Sequence, residues 1–281
     1  MTAGLSDWIG RQEAQDDVLN AQPSRRMQAT LDREPTLSDG EALPPLWHWL
    51  YFLDAKPLGA LGRDGHPAKG GFLPPVALPR RMWAGGRFEF HRPLILGQAA
   101  RKRSTILNVA EKDGRSGKLC FVTVEHAIEQ GGTLAVREEH DIVYREDPAP
   151  DAPSPAPAKA PGDAAFSEPV TPSEVLLFRY SALTFNGHRI HYDSDYARRV
   201  EGYDGLVFHG PLTATLLVDL AQRQQGQTPR RFQFRGTAPI SGPAGFFIEG
   251  RPDQGEDGRA LTQLWARRSD GALAMTAQAT F

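Results

Sequence analysis

From Asp147 to Ala165 the chain alternates proline with alanine. Such a segment fixes φ, removes backbone donors and offers no large apolar side chain to bury, so it reads as an extended spacer. It separates a block at 1–146 from a block at 166–281, each of single-domain size, with the linker at 147–165. Both blocks carry the same order of signals. In the second, Val175–Tyr180 reads as a short strand, 195–200 as a turn of helix, and Pro211–Gln222 as a helix with Leu212, Leu216, Leu217 and Leu220 on one stripe. Four strand-like runs follow, at 231–237, 245–251, 260–267 and 272–280, separated by turn residues such as Gly242-Pro243 and Asp270-Gly271. In the first block the apolar stretch Pro44–Leu53 reads as the helix, and the strand-like runs lie at 86–91, 100–111, 118–126 and 134–144.

The two blocks also share a local pattern. Phe88-Glu89-Phe90 runs into Pro93 and Gly97 as Phe232-Gln233-Phe234 runs into Pro239 and Gly242. A strand ending in any Pro/Gly turn would look similar. The repeated helix-then-four-strands order favours an internal duplication. A helix with an antiparallel meander is an α+β plan in which the sheet wraps the helix.

Composition narrows the class. A chain with 40% hydrophobic residues, 23% charged residues and net charge −2 suits a soluble globular protein. It lacks the clustered basic face of a nucleic-acid binder. The single cysteine, Cys120, excludes an intramolecular disulfide and lies in a strand-like run, where a buried inert thiol is expected. No apolar run reaches the ~18 residues that span a bilayer, and early acidic residues (Asp7, Glu13, Asp16, Asp17) argue against a signal peptide. The expectation is a cytoplasmic protein without nucleic-acid or membrane partners. No Cys/His/Asp cluster has metal-ligand spacing along the chain, so no metal is expected. Gly70-Gly71 and Gly85-Gly86 lack the context of a phosphate cradle.

Chemistry concentrates in Leu183-Thr184-Phe185-Asn186-Gly187-His188-Arg189-Ile190-His191-Tyr192-Asp193 and in Gly202–Leu212, which ends in His209-Gly210-Pro211 at the start of the helix. Imidazole titrates near working pH and suits a general base. A helix opening with Gly-Pro presents unsatisfied N–H groups and a partial positive charge to an anion, with Gly210 as the donor because Pro211 has none. Asn186 does not titrate; it can orient a water, hold a histidine, or simply close a turn before Gly187.

These stretches resemble the active-site segment of the MaoC-like (R)-specific hydratases of the hotdog superfamily. There an Asp-x-Asn-Pro-x-His segment precedes a helix opening with His-Gly. Asn186 stands at the family's Asp, His191 at its catalytic His, and His209-Gly210 at its His-Gly, whereas His188-Arg189 replaces Asn-Pro. The variant is similar to the mesaconyl-C4-CoA (3-methylfumaryl-CoA) and itaconyl-CoA hydratase branch, with its mitochondrial 3-hydroxyacyl-thioester dehydratase relatives. The resemblance implies a double hotdog and reversible hydration of a 2-enoyl-CoA, with citramalyl-CoA as product in that branch. A broader 3-hydroxyacyl-thioester dehydratase working on CoA or acyl carrier protein, and a non-catalytic acyl-thioester-binding module, are the alternatives. It implies His191 as base, Gly210 in an oxyanion hole and no cofactor beyond the coenzyme A thioester substrate. Either His191 works alone with a water, or His188 supplies a second titratable group. Arg189, Arg235, His209 and Trp49 are the candidate substrate contacts, with Trp47 and Phe52 beside Trp49 as core or acyl-pocket wall. The first block, lacking the motif, is expected to have lost catalysis, and a homodimer is possible.

Overall fold

The computed structural model describes residues 4–114, 117–147, 156–255 and 258–281. Five strands come from the first block: β1 (Gln12–Val18), β2 (Arg80–Phe90), β3 (Ala99–Gly114), β4 (Gly117–Gln130) and β5 (Thr133–Arg145). Five come from the second: β6 (Phe166–Val170), β7 (Arg231–Gly236), β8 (Phe246–Gln254), β9 (Ala260–Arg268) and β10 (Leu273–Thr280). They join into one antiparallel sheet of order β1-β3-β4-β5-β2-β7-β10-β9-β8-β6. Outward from the centre the two halves have the same connectivity, which is the structural form of the duplication read from the sequence. The fold is an α+β double hotdog.

The two Phe-x-Phe segments meet at the centre. β2 pairs antiparallel with β7 through Gly86↔Phe234 and Phe88↔Phe232. Gly85 and Gly86 permit this closeness: a Cβ at Gly85 would lie 2.6 Å from the Phe234 carbonyl oxygen, and one at Gly86 3.1 Å from the rings of Phe234 and Phe88. The alternation of β7 sends Phe232 and Phe234 into the core and leaves Arg231, Gln233 and Arg235 on the opposite face.

Four α-helices are present among the described residues: α1 (Ala21–Thr30), α2 (Glu174–Leu183), α3 (Ser194–Arg199) and α4 (Gly210–Gln225). α4 starts with Pro211 in its first turn and stops at Gly226, whose φ of +69° suits a residue without Cβ. It buries Leu212, Ala214, Leu217, Val218, Leu220 and Ala221, so it is covered nearly all round by the second half's sheet. Its core is continuous with that of the first half, through Phe88, Ile128 and Val136. None of the described helices is long and apolar enough to cross a membrane.

Two expectations are corrected. Pro44–Leu53 is not a helix. It forms one 3-10 turn, Trp47–Leu50, between Leu46 at φ +67° and Phe52 at φ +55°, and these left-handed residues prevent an α-helix from continuing. The first half therefore has no counterpart to α4, and its concave side is filled by Leu46, Trp47 and Leu50. The run at Val175–Tyr180 is helical, not a strand. Ser173 caps α2 by accepting from the Leu176 N–H at 3.1 Å, and Leu177, Tyr180 and Ser181 are buried at helical spacing. Short apolar runs do not distinguish the two by periodicity. In the proline-rich segment, residues 148–155 lie outside the described residues. Beyond them the chain is docked rather than free: Lys159 bridges Ala272, and the Leu273 N–H donates to the Ala158 carbonyl at 2.8 Å.

Phe232 is 1% exposed at the seam between the halves. Phe232→Ala is expected to cost about 3–5 kcal/mol of stability through lost transfer energy and a cavity. Urea unfolding of the variant against the parent measures it.

Candidate active site

The motif loop is built by local hydrogen bonds. α2 ends at Leu183, and Phe185 turns the chain at φ +50°. The Asn186 N–H donates to the Ser181 carbonyl at 2.8 Å, and the Asn186 side-chain oxygen accepts from the His188 N–H at 3.0 Å. Asn186 thus closes a turn around Gly187. Arg189–His191 makes one 3-10 turn, and Asp193 caps α3 through the Tyr196 N–H. The returning strand segment is tied back by the Val207 N–H on the Ile190 carbonyl at 2.9 Å. That pairing brings the Val207 carbonyl to His191 Nδ1 at 2.7 Å.

A carbonyl oxygen only accepts, so Nδ1 of His191 carries the proton and Nε2 is the basic nitrogen. His191 is 7% exposed. Burial pushes its pKa down to about 4, against the opposing pull of the Val207 carbonyl. His209 stacks on it, with ring centroids 3.6 Å apart and an angle of 19°. Burial and the neighbouring imidazoles of His191 and His188 hold His209 well below its ordinary value. The pair is therefore neutral and aromatic in character.

His191, His188, Asn186 and Gly210 line one cavity of about 590 Å³. A Cβ placed on Gly210 would meet nothing within 4 Å, so the first turn of α4 is open to a ligand on this side. Its backbone N–H has no acceptor within the helix.

The structure separates the remaining sequence candidates. His209 does not face the cavity: it is fully buried, with Nε2 2.9 Å from Ser181 Oγ, and backs His191 instead of contacting a ligand. Arg189 is engaged elsewhere. Its Nε and Nη2 donate to the Asp193 carboxylate at 3.1 and 2.7 Å, and its guanidinium lies over the Tyr196 ring. Arg235 sits on the far face of the sheet, in a groove with Arg87 and Gln233, because the β7 alternation puts Phe234 on the site's side. Trp49 lines a second cavity of about 410 Å³ that adjoins the first through Asn186, Pro211 and His66. Its Nε1 donates to Glu138 at 3.1 Å, and Phe52 shares this wall while Trp47 is in the core.

Other residues of this cavity come from the first half. Arg63, Asp64, His66, Arg80, Arg81 and Arg145 all line it. Arg63 pairs with Asp147 and Arg80 with Glu201. Arg81 and Arg145 form no ion pair among the described residues, and the buried Arg145 Nε has no hydrogen-bond partner. Asp64 Oδ2 accepts from His66 Nδ1 at 3.0 Å, and the His66 ring lies 4.2 Å from that of His188. The expectation of no His/Asp cluster came from spacing along the chain. In space, ligand-type atoms of Asp64, His66 and His188 fall within 4.8 Å of one another. One link of this cluster is already a hydrogen bond between Asp64 and His66, which makes it a carboxylate–imidazole pair facing a third ring. Only Asp64-Gly65-His66, with glycine between two polar residues, hinted at it in the sequence.

Comparison with known proteins agrees with this geometry. Residues 46–242 match the family model of hydroxyacyl-thioester dehydratase type 2. The chain belongs to that family. It is 47% identical to the mesaconyl-C(4)-CoA hydratase of Chloroflexus aurantiacus, over 96% of this chain and 95% of that one. Among solved structures, a MaoC-like dehydratase superposes with a TM-score of 0.73 at 15% identity, covering 99% of both chains. A conserved hypothetical protein of Mycobacterium tuberculosis, described as a double hotdog, gives 0.57 at 14% identity, covering 97% of this chain and 96% of that one. The family members are hydro-lyases, and so is this chain.

The buried imidazoles make a thermodynamic prediction. Burial pushes His126 down to about 3 and His140 and His191 down to about 4. The unfolded chain binds protons at these histidines near pH 6.5 and the folded chain does not, so stability is lost as pH falls from 6.5 towards 4. Melting temperature measured over that range is expected to fall, and His140→Gln to flatten the slope.

Proposed function

We propose that this protein catalyses reversible hydration of a branched C5 dicarboxylic half-thioester of coenzyme A, mesaconyl-C4-CoA or itaconyl-CoA, giving citramalyl-CoA. The observation that carries the chemistry is the tautomer of His191. Its Nδ1–H is held by the Val207 carbonyl, so a basic Nε2 is available in a cavity shared with the open N-terminus of α4. With mesaconyl-C4-CoA, whose double bond is conjugated with the thioester, Nε2 takes a proton from water while the water oxygen bonds to the β-carbon. The π electrons move onto the thioester oxygen, where the Gly210 N–H and the helix dipole stabilise the enolate. Return of one proton to the α-carbon completes the addition. Asn186, whose oxygen closes the turn at His188, serves the shape of the loop and holds the two histidines in register.

The 47% identity to a mesaconyl-C(4)-CoA hydratase supports the acyl group, and so does charge. In citramalyl-CoA the free carboxylate is attached to the carbon that receives the hydroxyl. Its partner must therefore lie beside the catalytic imidazoles. Arg81 meets this condition: it lines the cavity without an acidic partner, close enough to His66 and His188 to depress both. Arg81 is the proposed carboxylate clamp, in place of Arg189 and Arg235. Soluble, cytoplasmic action on a diffusible thioester without a cofactor fits this reading.

The test is the loss of enoyl-thioester absorbance on mixing with mesaconyl-C4-CoA and crotonyl-CoA, and the appearance of citramalyl-CoA by mass and chromatography with itaconyl-CoA. Turnover is expected with at least one dicarboxylic substrate, and binding without turnover of any of them would reduce the protein to a thioester-binding module. His191→Ala is expected to lower kcat by about 10²–10⁴. Arg81→Gln is expected to lower kcat/KM about 10–100-fold for the carboxylate-bearing substrate, the worth of a charge-assisted hydrogen bond, while sparing crotonyl-CoA. An equal loss on both substrates would remove Arg81 from the clamp.

A further inference from the structure

Water addition needs a group that takes a proton and a route that delivers one to the α-carbon. The motif loop supplies the first in His191 and a connecting imidazole in His188, but no carboxylate beside them. Asn186 does not titrate, and the nearby Asp193 is spent on capping α3 and on Arg189. Glu201, also at the cavity, is committed to Arg80 and to the Tyr196 hydroxyl. On the cavity wall, the half that lacks the motif supplies a carboxylate and an imidazole paired only with each other, Asp64 and His66.

We propose that Asp64 and His66 form the second proton-handling pair of the site, with His188 as the ring that connects them to His191. This rests on the hydratase reading above. Asp64 accepts from His66 Nδ1 at 3.0 Å and from the His66 backbone N–H at 3.1 Å, which fixes the imidazole and leaves its Nε2 as the exchanging nitrogen. The His188 ring lies 4.2 Å from His66 and 5.5 Å from His191, between the two. The attachment of the loop is built, not incidental. The Arg189 N–H donates to the Asp64 carbonyl at 2.9 Å, and the Arg189 guanidinium reaches the Arg63 carbonyl at 3.3 Å. Gly65 and Gly187 meet backbone to backbone: a Cβ on Gly65 would lie 1.9 Å from the Gly187 carbonyl oxygen, and one on Gly187 2.8 Å from that of Gly65. Glycine at both positions is what lets the first half's loop lie against the motif loop, and Gly65 also needs its φ of +87°.

The proton balance is closed. Water loses one proton to His191 Nε2 as its oxygen bonds to the β-carbon. That proton passes by way of His188 to His66, where the Asp64 carboxylate stabilises the imidazolium. His66 then gives it to the α-carbon of the enolate, forming the C–H bond as the thioester carbonyl is restored. No oxidant, metal or external base enters. The dehydration direction runs the same path backwards, with His66 taking the α-proton.

Here His66 is the catalytic residue and Asp64 a positioning residue. With mesaconyl-C4-CoA, His66→Ala is expected to lower kcat at least ~10²-fold with little change in KM and an unchanged melting temperature, and added imidazole to restore part of the rate. Asp64→Asn is expected to lower kcat less and to shift the acidic limb of the kcat/KM–pH profile to lower pH, because His66 must start neutral and its imidazolium loses its counter-charge. In D2O, the parent with citramalyl-CoA is expected to wash deuterium into the α-carbon, and His66→Ala to lose that exchange. A His66→Ala enzyme at parental kcat would overturn the proposal. So would a loss that is confined to KM and ignores imidazole, or activity that disappears on chelation and returns with a divalent metal. A parent enzyme that turns over none of the enoyl-CoAs is a different outcome, and it removes the hydratase reading itself.

Discussion

The pairing of β2 with β7 is the contact on which the rest of the molecule depends. It joins two five-stranded units edge to edge, so neither unit leaves an open central strand. Because the pairing is antiparallel and centred on Arg87 and Gln233, the loops of one half fall over the concave side of the other. The seam tolerates this only because Gly85 and Gly86 let the Phe234 backbone and ring approach closely. The large rings then come from β7 and from Phe88, and they form a single core from Ile128 to Leu217. A chain of two independent units joined by a flexible tether would have no such shared cavity.

Burial sets the chemistry as much as the fold does. The histidines around the site are pushed towards their neutral forms, and hydrogen bonds then decide which nitrogen is basic. For His191 the deciding group is the Val207 carbonyl, and for His66 it is the Asp64 carboxylate. His209 adds a flat, neutral surface behind His191, which holds the ring without competing for its proton. A low-dielectric wall would strengthen both attractions proposed above, of the helix end for an enolate and of Arg81 for a carboxylate. The same burial is why the folded state is expected to lose stability in acid.

Much of this was legible in the chain, and the failures have physical causes. The strands of both halves could be read because alternation is a local signal, and Gly210-Pro211 marked the start of α4 because proline suits a first helical turn. His191 stood out through its place in a dense polar loop. The aromatic run at Pro44–Leu53 misled because apolar content looks helical unless the left-handed residues at Leu46 and Phe52 are known. Arg189 and Arg235 misled for a related reason. Position in a motif or on a strand does not reveal that Asp193 occupies the one guanidinium, or that a one-residue alternation turns the other to the far face. Asp64, His66 and Arg81 were missed because they lie more than a hundred residues from His191 in sequence, and only the seam between the halves brings them to it.

This arrangement changes how the first half should be regarded. It has no counterpart to α4 and no Asn/Asp-x-x-x-x-His segment, which on sequence alone suggested a passive wall. Yet it contributes the cavity's arginines and its carboxylate–imidazole pair. A duplicated fold need not keep two sites or reduce one copy to scaffolding. With α4 held by one copy, the other has a single turn, Trp47–Leu50, in place of a helix, and its loops reach across to the cavity. The constraint that remains is steric. Gly65 and Gly187 touch through their backbones, so neither half can carry a side chain at that point of contact. The same division brings Arg81 and Arg145, which form no ion pair among the described residues, into the cavity onto which the start of α4 opens.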